Sequence, residues 1–304
     1  MIVTNPRDFL SAIGQQSWTI NLGATAEAAY LVSPANFSLA AESATDNAYM
    51  DLAQQPDPLA ALAEHAELAR RIAEDVPVVT FPGDPEAVDG VFPNNAFATV
   101  PGRLIVGRMR HAVRQRETRR SDIRAWFTKL LGRQLVDLSD GDFVAELTGS
   151  LVIDRARGIG YCGLSERCDM AGARAMHAAF GLRLTYCFRL ADGEYHTNVV
   201  LAILAGRAAV IAESGFADAE DARAIASLYG EHVVWLSAEQ KQSFAANVIS
   251  LSPKRVWMSQ RAANSLQSEQ RAILHHPGFS IGSVALAEIE KAGGSLRCCV
   301  GELF

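Results

Sequence analysis

The chain has 304 residues, of which 49% are hydrophobic and 20% are charged, and its formal net charge is −6. These values are typical of a globular protein and exclude a disordered or collagen-like chain. The acidic balance disfavours a general attraction to nucleic acid or to an anionic membrane surface, so neither partner is expected. The most apolar stretch, residues 199–212, is too short to span a bilayer and is interrupted by Gly206 and Arg207.

The start of the chain and its cysteines indicate the compartment. Residues 1–10 lack a basic start and a continuous apolar run, so no secretory signal is predicted. The five cysteines are odd in number and none has CxxC spacing, which disfavours both a disulfide framework and a zinc cluster. We therefore expect a cytoplasmic protein.

The predicted elements begin after a weakly patterned start. Residues 1–30 show little periodicity and are predicted to form an irregular N-terminal extension. Apolar residues then recur at helical spacing over 57–74, and a strand-like run follows over 76–81. The remaining elements, in chain order, are strands 91–99 and 104–109, helix 121–131 and strand 134–138, then strands 151–154 and 159–164, helix 170–180 and strand 182–188, then strands 199–204 and 208–211, helix 219–229 and strand 232–236, and finally strands 248–251 and 255–258, helix 262–275 and strand 279–284.

These elements form strand–strand–helix–strand units that repeat about every fifty residues. A last strand over 295–304 has no unit of its own, and we expect it to complete a further unit with the first helix and strand, pairing near residues 34–37. A ring of units is favoured over a stacked solenoid because the sequence has no capping repeat. Residues 31–304 are therefore predicted to form a single domain.

Chemically active residues fall on the same period. Four of them are separated by 51, 50 and 102 residues: Asn95, Glu146, His196 and Cys298. In a pseudo-symmetric ring, residues one period apart point towards a common axis, so we expect these four side chains to converge on a central cavity. Asn47, 48 residues before Asn95, fits the register, and so does Asn247, 51 residues before Cys298, although nothing else marks Asn247.

Five segments around these residues resemble one known superfamily. They are PANFSLAAESATDNAYM at 34–50, VFPNNAFAT at 91–99, ELTGS at 146–150, YHTN at 195–198 and GGSLRCCVGELF at 293–304. Together they resemble the guanidine-modifying, or amidinotransferase, superfamily, most closely the arginine-deiminase-related branch that includes citrulline-utilisation hydrolases. The resemblance runs from about residue 31 to the end. It implies an α/β fold, the five-bladed α/β propeller (pentein) of ββαβ units with pseudo-fivefold symmetry.

The resemblance also implies a role for each of three residues. Cys298 is the expected nucleophile, with Arg297 or a protonated His196 favouring its thiolate; the alternative is a buried structural cysteine. His196 is the expected general acid and base, and Glu146 the carboxylate that anchors the substrate N–H groups. Either residue could instead be an ordinary structural side chain. Cys299 is expected to face the opposite side of the predicted strand and to serve packing.

The sequence departs from the arginine-deiminase pattern at two carboxylates. Asn94-Asn95 stands where that pattern has Arg-Asp, and His196-Thr197-Asn198 stands where it has His-x-Asp. An amide both donates and accepts hydrogen bonds, which suits a neutral ureido group better than a guanidinium. Asn95 and Asn198 are therefore expected to bind the substrate's terminal group. Asn47 either belongs with them or is a turn residue after Asp46.

Arginines cluster between residues 103 and 124. The acidic chain and the lack of interleaved aromatic residues argue against a nucleic-acid site there. Arg108 or Arg110, near a predicted strand end, is expected to hold the substrate α-carboxylate, since a guanidinium binds a carboxylate through two hydrogen bonds. Arg297, beside the expected nucleophile, is also counted among the substrate-binding residues.

These observations predict a cysteine-dependent hydrolase of C–N bonds in a ureido or guanidino amino acid, with citrulline or arginine as the small-molecule partner. Hydrolysis of citrulline to ornithine, ammonia and carbon dioxide is the first choice. Arginine deimination or dihydrolysis and amidino transfer are the alternatives, and a non-catalytic protein that binds an arginine-like ligand is the alternative of another class. No metal or organic cofactor is expected, since the covalent mechanism needs none. The sequence leaves homo-oligomerisation open.

Overall fold

The computed structural model of the protein describes residues 1–15, 18 and 24–304. Within these residues the strands are β1 Ile2–Val3, β2 Ala28–Val32, β3 Val78–Phe81, β4 Phe97–Val100, β5 Arg103–Val106, β6 Gln134–Asp137, β7 Leu151–Asp154, β8 Ile159–Leu164, β9 Leu184–Arg189, β10 Leu201–Leu204, β11 Ala208–Ile211, β12 Val233–Trp235, β13 Ile249–Ser252, β14 Arg255–Ser259, β15 Ser280–Val284 and β16 Gly301–Leu303. The α-helices are α1 Pro6–Gln15, α2 Pro58–Ile72, α3 Ala112–Gln115, α4 Ser121–Ala125, α5 Leu147–Ser150, α6 Met170–Phe180, α7 Ala219–Ala226, α8 Ala238–Gln242, α9 Gln260–Ser265, α10 Ser268–His275, α11 Ala287–Glu290 and α12 Leu296–Cys299.

The strands of the described chain form five separate sheets built on one plan. In each sheet the first two strands are antiparallel and the third is parallel to the second. The strand orders are β4-β5-β6, β7-β8-β9, β10-β11-β12, β13-β14-β15 and β16-β2-β3, with β1 added beside β9. The fold is therefore mixed α/β, with the repeating strand order that the sequence predicts.

The two ends of the chain meet in one sheet, as expected, although at a different place. β16 pairs antiparallel with β2, and Gly301 lies opposite Tyr30. The predicted partner segment, 34–37, lies beyond the end of β2, so that part of the prediction is wrong. Tyr30 explains the register: its ring is fully buried, its hydroxyl donates to the Phe97 carbonyl at 2.8 Å, and a Cβ on Gly301 would lie 2.1 Å from Tyr30 Cζ.

The N-terminal segment is more ordered than the irregular extension predicted for residues 1–30. β1 pairs parallel with β9, with Ile2 opposite Thr185. The side chain of Asn5 accepts a hydrogen bond from Asp8 N at 2.9 Å at the start of α1. Phe9 of α1 is fully buried and stacks on Tyr186, with ring centroids 4.5 Å apart. One buried aromatic residue produces too little periodicity to be recognised in the sequence, yet it is enough to dock the helix. The boundary predicted at residue 31 stays a prediction.

Helix α6 shows how local sequence sets an element beside the site. Asp169 caps its first turn by accepting from Gly172 N at 2.7 Å, and Gly181 ends it with a φ of 65°. The observed bounds equal the predicted 170–180. A Cβ on Gly172 would lie 1.9 Å from the Val144 carbonyl oxygen, so only glycine lets the helix pack against the segment that leads to Glu146.

The helix predicted over 262–275 is two helices, α9 and α10, and that prediction is wrong. Ser259 caps α9 by accepting from Ala262 N at 3.1 Å. A new capping arrangement starts at Gln267, whose backbone N–H donates to the Gln270 side chain at 2.9 Å. Two caps within nine residues divide one apolar period into two short helices.

Among the described residues, no helix is both long and apolar enough to cross a membrane. A cytoplasmic location stays a prediction.

Candidate active site

The C-terminal helical turn carries Cys298. Its side chain is 2% exposed and lies between two asparagines from preceding units. Asn247 Nδ2 donates to Cys298 Sγ at 3.2 Å, and Cys298 N donates back to Asn247 Oδ1 at 3.4 Å. On another side, Cys298 Sγ donates to Asn198 Oδ1 at 3.8 Å. The sulfur therefore has one neighbour that favours the thiolate and one that favours the thiol.

The backbone here differs from the strand predicted over 295–304. The Ser295 carbonyl accepts from the backbone N–H groups of Cys298 and Cys299, at 3.0 and 3.3 Å, which closes the turn α12 before β16 begins. Neighbouring residues in a helical turn do not point to opposite faces as they do in a strand. The reason given for the role of Cys299 is thus wrong. Its Sγ nevertheless lies away from the cavity and donates to the Ser295 carbonyl at 3.5 Å.

Burial is the largest influence on the pKa of Cys298. It raises the pKa of Cys298 above its ordinary value, because the thiolate would lose water. The Ser295 backbone, the Asn247 hydrogen bond and the positive charges of Arg297 and Arg114 oppose that shift. In the free protein the thiol is therefore the favoured form, and a thiolate requires a further change when substrate binds.

His196 and Glu146 form a buried pair, and neither side chain is exposed. His196 Nε2 lies 2.7 Å from Glu146 Oε2 and donates to it when the carboxyl group is ionised. Glu146 Oε1 accepts from Arg110 N at 3.1 Å, and Arg167 Nη1 lies 3.3 Å from Oε2. Since protein groups already occupy both oxygens, this geometry favours an orienting role for Glu146 over the substrate anchoring that the sequence predicts.

The charges around this pair set its protonation. Burial alone would raise the pKa of Glu146, but the charge of Arg167 and the hydrogen bond from His196 hold it well below its usual range. Burial lowers the pKa of His196, and the bond to Glu146 only partly offsets this. The neutral imidazole carries its proton on Nε2, so Nδ1 is left as a free base. Nδ1 is buried and has no hydrogen-bond partner among the described residues.

Asn95 and His196 meet above Gly149. A Cβ on Gly149 would lie 2.4 Å from Asn95 Oδ1 and 2.8 Å from His196 Nδ1. Asn95 Oδ1 is also buried without a partner in the described chain. A glycine at position 149 is therefore required for these two polar atoms, neither of which has a partner in the described chain, to lie close together.

Hydrogen bonds between residues about one period apart tie these segments together. Thr148 Oγ1 donates to the Asn94 carbonyl at 3.0 Å, and Asn198 Nδ2 donates to the Thr148 carbonyl at 3.2 Å. Asn247 Nδ2 donates to the Asn198 carbonyl at 3.0 Å, and Asn247 in turn accepts from Cys298 N. These pairs are 54, 50, 49 and 51 residues apart in sequence. The periodic residues thus form one connected network.

A small cavity, here called the reaction cavity, lies beside this network. Of the predicted site residues, Cys298, Asn95 and Asn47 line it. Three charged side chains also line it: Asp89, Arg114 and Arg167. The Asn47 side chain packs directly on Gly293, which has a φ of 72°. A Cβ added to Gly293 would lie 2.5 Å from Asn47 Nδ2, so a larger residue would displace the asparagine.

The arginines predicted for the substrate carboxylate lie elsewhere. Arg108 Nη1 donates to the Ser139 carbonyl at 3.0 Å, and the side chain does not line the cavity. The Arg110 side chain is 40% exposed, pairs with Glu166 at 2.6 Å and with Asp46 at 3.6 Å, and does not line the cavity, whereas its backbone N–H donates to Glu146. The structure thus brings neither guanidinium to the cavity.

Arg297 and Asn198 lie next to Cys298 but line a second cavity. Arg297 Nη2 pairs with Glu302 at 2.8 Å and Nη1 donates to the Val300 carbonyl at 2.8 Å. Both Arg297 and Asn198 line this second cavity, which Cys298 does not line. Their predicted contact with substrate stays a prediction.

Two other arginines occupy the position expected for a carboxylate clamp. Arg114 is buried and forms a paired contact with Glu117, at 2.7 and 2.8 Å. Arg167 is 1% exposed and pairs with Asp46 at 2.8 and 2.5 Å. No residue of the described chain accepts a hydrogen bond from Arg114 Nη1. In the sequence, Arg114 looks like the other arginines of its cluster. Its ion pair with the buried Glu117, which distinguishes it from them, is visible only in the structure.

Asp89 is a further cavity residue that the sequence reading missed. Its Oδ2 accepts from Ser43 Oγ at 2.6 Å, whereas its Oδ1 is buried with no partner among the described residues. Burial raises the pKa of Asp89, and Arg114 and Ser43 oppose the shift. In the sequence, the one feature that could have identified Asp89 is its position six residues before Asn95, at the start of an apolar run. For Asn247, the signal was the 51-residue spacing to Cys298.

Comparison with known proteins agrees with this geometry. The model of the family N,N dimethylarginine dimethylhydrolase, eukaryotic, matches residues 33–304. The chain belongs to this family. It is therefore a member of the guanidine-modifying superfamily and is homologous to hydrolases that act on guanidino C–N bonds. No curated protein matches the sequence significantly.

Solved structures share the fold of this dimethylarginine dimethylhydrolase family member at low identity. The substrate-bound N-terminal domain of ArgZ, an arginine dihydrolase of the ornithine–ammonia cycle in Cyanobacteria, is 20% identical with a TM-score of 0.78, covering 90% of this chain and 97% of that one. Dimethylarginine dimethylaminohydrolase as an adduct with S-methyl-L-thiocitrulline is 20% identical with a TM-score of 0.71, covering 91% and 99%. AgrE with ornithine and NAD+ is 18% identical with a TM-score of 0.79, covering 91% of this chain but only 39% of AgrE.

Proposed function

We propose that the protein is a cysteine-dependent hydrolase that cleaves a C–N bond in the terminal ureido or guanidino group of an amino acid. The observation that carries the proposal is one buried cavity that presents Cys298, Asp89, Arg114 and Arg167 together. Such a cavity offers a nucleophile, a carboxylate for substrate N–H groups, and guanidinium groups for an α-carboxylate. The adjacent pair of His196 and Glu146 supplies a proton acceptor.

The reaction follows from these positions. His196 Nδ1, which is neutral and unpartnered, takes the thiol proton as Cys298 Sγ forms a bond to the substrate's terminal carbon. The C–N bond to the side-chain nitrogen then breaks, and the leaving amine receives that proton. With citrulline, ornithine leaves and a carbamoyl thioester remains on Cys298. Water hydrolyses the thioester, which restores the thiol and releases carbamate, and this decomposes to ammonia and carbon dioxide.

Citrulline is the substrate that the amides favour. Asn95 lies in the cavity with Cys298, and Asn198 contacts the sulfur, so the reacting carbon is flanked by neutral side chains. A neutral ureido group has a carbonyl oxygen that requires a donor, and an amide supplies one. A guanidinium at the same place would meet fewer carboxylates than it needs.

A guanidino substrate is the second candidate, and Asp89 favours it. A buried carboxylate with an unpaired oxygen suits a cationic group, whether the guanidinium or the α-ammonium of the substrate. The family match likewise supports arginine or a methylated arginine as substrate. Transfer of the amidino group to another amine would use the same residues.

One experiment separates these candidates. The wild type and Cys298→Ser are incubated separately with citrulline, arginine and dimethylarginine, and the products are identified by mass spectrometry. Ornithine from citrulline supports the proposal, whereas citrulline as the end product from arginine or dimethylarginine supports the second candidate. If the wild type turns over none of the three, and a haloacetamidine fails to label Cys298, the protein is a binder rather than an enzyme.

The same proposal extends to the architecture. Five sheets with one strand order, and a hydrogen-bond network between residues about fifty positions apart, support an arrangement of the five units as propeller blades around one axis. Residues 31–304 then form the single catalytic domain.

A further inference from the structure

A second cavity is lined by Asn198 and shares no lining residue with the reaction cavity. Its walls come from the first strands of four sheets, β7, β10, β13 and β16. Asn198 links the two spaces, because it lines this cavity while its Oδ1 lies 3.8 Å from the Sγ of Cys298, which lines the reaction cavity. None of the chemistry proposed above uses this cavity.

The charges in this cavity are unbalanced. Arg155, Arg297 and Glu302 line it, which gives two guanidinium groups against one carboxylate. Glu302 is committed to Arg297 at 2.8 Å. Arg155 makes no hydrogen bond or ion pair with the described residues; its guanidinium carbon lies 4.1 Å from the Phe304 ring centroid. An arginine has five N–H donors, and those of Arg155 have no protein acceptor among the described residues.

The surroundings of Arg155 give the same picture. Burial lowers its pKa to about 10, and the charge of Arg297 adds to that effect while Glu302 opposes it. The Arg155 side chain is only partly exposed and no carboxylate of the described residues pairs with it, so a bound anion would supply the missing partner. The Phe304 ring and the more distant Phe180 ring, 5.6 Å away, contact the guanidinium by cation–π interaction, and neither supplies a hydrogen-bond acceptor.

We infer that this cavity binds a small oxyanion, of the carboxylate, bicarbonate or phosphate type, between Arg155 and Arg297. Arg297 immediately precedes Cys298, and its positive charge is one of the influences that lower the pKa of that thiol. An anion bound here would offset this charge. A bound anion should therefore raise the pKa of the Cys298 thiol, and formation of the thiolate should in turn lower the affinity for the anion.

The test uses the full-length protein with sodium phosphate, bicarbonate and acetate as separate probes, and chloride at matched ionic strength as the reference. Isothermal titration should show binding of one equivalent of at least one oxyanion, both in the wild type and in Cys298→Ser. Because the serine variant lacks the nucleophile, this result is independent of the proposed reaction. The three probes distinguish a carboxylate source from bicarbonate and from inorganic phosphate.

Arg155→Met should weaken binding at least ~10-fold, as expected for loss of a charged hydrogen-bond partner. Arg103→Met is the matched control, since it removes an exposed arginine of β5 and should leave the affinity unchanged. Circular dichroism and the urea midpoint check that both variants fold. An affinity that survives Arg155→Met in a folded protein overturns the inference, and so does the absence of binding of all three anions at ~10 mM.

A second readout tests the link to the cysteine. Saturating oxyanion should slow alkylation of Cys298 by iodoacetamide at neutral pH in the wild type, and should have no such effect in Arg155→Met. Equal slowing in both proteins would place the anion in the reaction cavity and overturn the inference.

Discussion

The hydrogen bond from Asn247 to the nucleophile leads to a quantitative prediction. Asn247 Nδ2 lies 3.2 Å from Cys298 Sγ, and both side chains are buried. A hydrogen bond to a charged acceptor contributes ~1.5–3 kcal/mol, and 1.36 kcal/mol corresponds to one pKa unit. Asn247→Ala should therefore raise the pKa of Cys298 by ~1–2 units. At any pH below that pKa, the thiolate fraction falls by ~10–100-fold.

The assay is the rate of Cys298 alkylation by iodoacetamide between about pH 6 and 10, since the thiolate is the reactive form. Peptide mapping assigns the label to Cys298. Asn198→Ala is the contrasting variant, because Asn198 Oδ1 accepts from the thiol and its removal should not raise the pKa. The urea midpoint of each variant separates a local effect from partial unfolding. An unchanged pH profile in a folded Asn247→Ala protein would refute the reasoning.

Four further predictions follow from the site and the core. Cys298→Ser should remain folded and lose turnover, while Cys299→Ser keeps most of it, as kcat and the urea midpoint will show; the reverse pattern would place the nucleophile one residue later. Gly149→Ala should lower kcat by about 10²-fold, because the added methyl group displaces Asn95 and His196. Circular dichroism should show that the variant remains folded. Asn95→Asp should move the ratio of kcat/KM towards arginine over citrulline, and a wild type that prefers arginine tenfold would defeat the ureido argument. Burial lowers the pKa of His65 to about 4, so the folded state favours the neutral imidazole. The free energy of unfolding should therefore fall as the pH drops below about 6.5, by about 2 kcal/mol between about pH 7 and 5. His65→Gln should remove this pH dependence from the urea midpoint.

The local elements of the middle of the chain could be predicted from sequence because their signals are local. The strands at 151–154, 159–164 and 208–211 and the helix at 170–180 have the predicted bounds. Each depends on its own apolar alternation or period, and Asp169 and Gly181 mark both ends of that helix within the sequence. The fifty-residue repeat and the pairing of the two chain ends follow from the order of such elements.

The ends of the chain were harder to predict because tertiary contacts decide them. Residues 296–299 have the apolar character of a strand, but the Ser295 carbonyl closes them into a turn that places Cys298 against Asn247. The helix α1 owes its position to Phe9 stacking on Tyr186, a residue 177 positions away. Local propensity is a weak influence on such short segments, and packing overrides it.

The choice among arginines shows the same division within the site. The sequence by itself determined which residues recur at the period, because Asn95, Glu146, His196 and Cys298 are spaced by the repeat unit. Which arginines face the cavity depends on their carboxylate partners: Asp46 and Glu146, both remote in sequence, hold Arg167, whereas Glu117, three residues away, holds Arg114. A buried guanidinium needs such a partner to offset its lost hydration. The partners of Arg167 lie far away in the chain, so only the tertiary structure could bring them together.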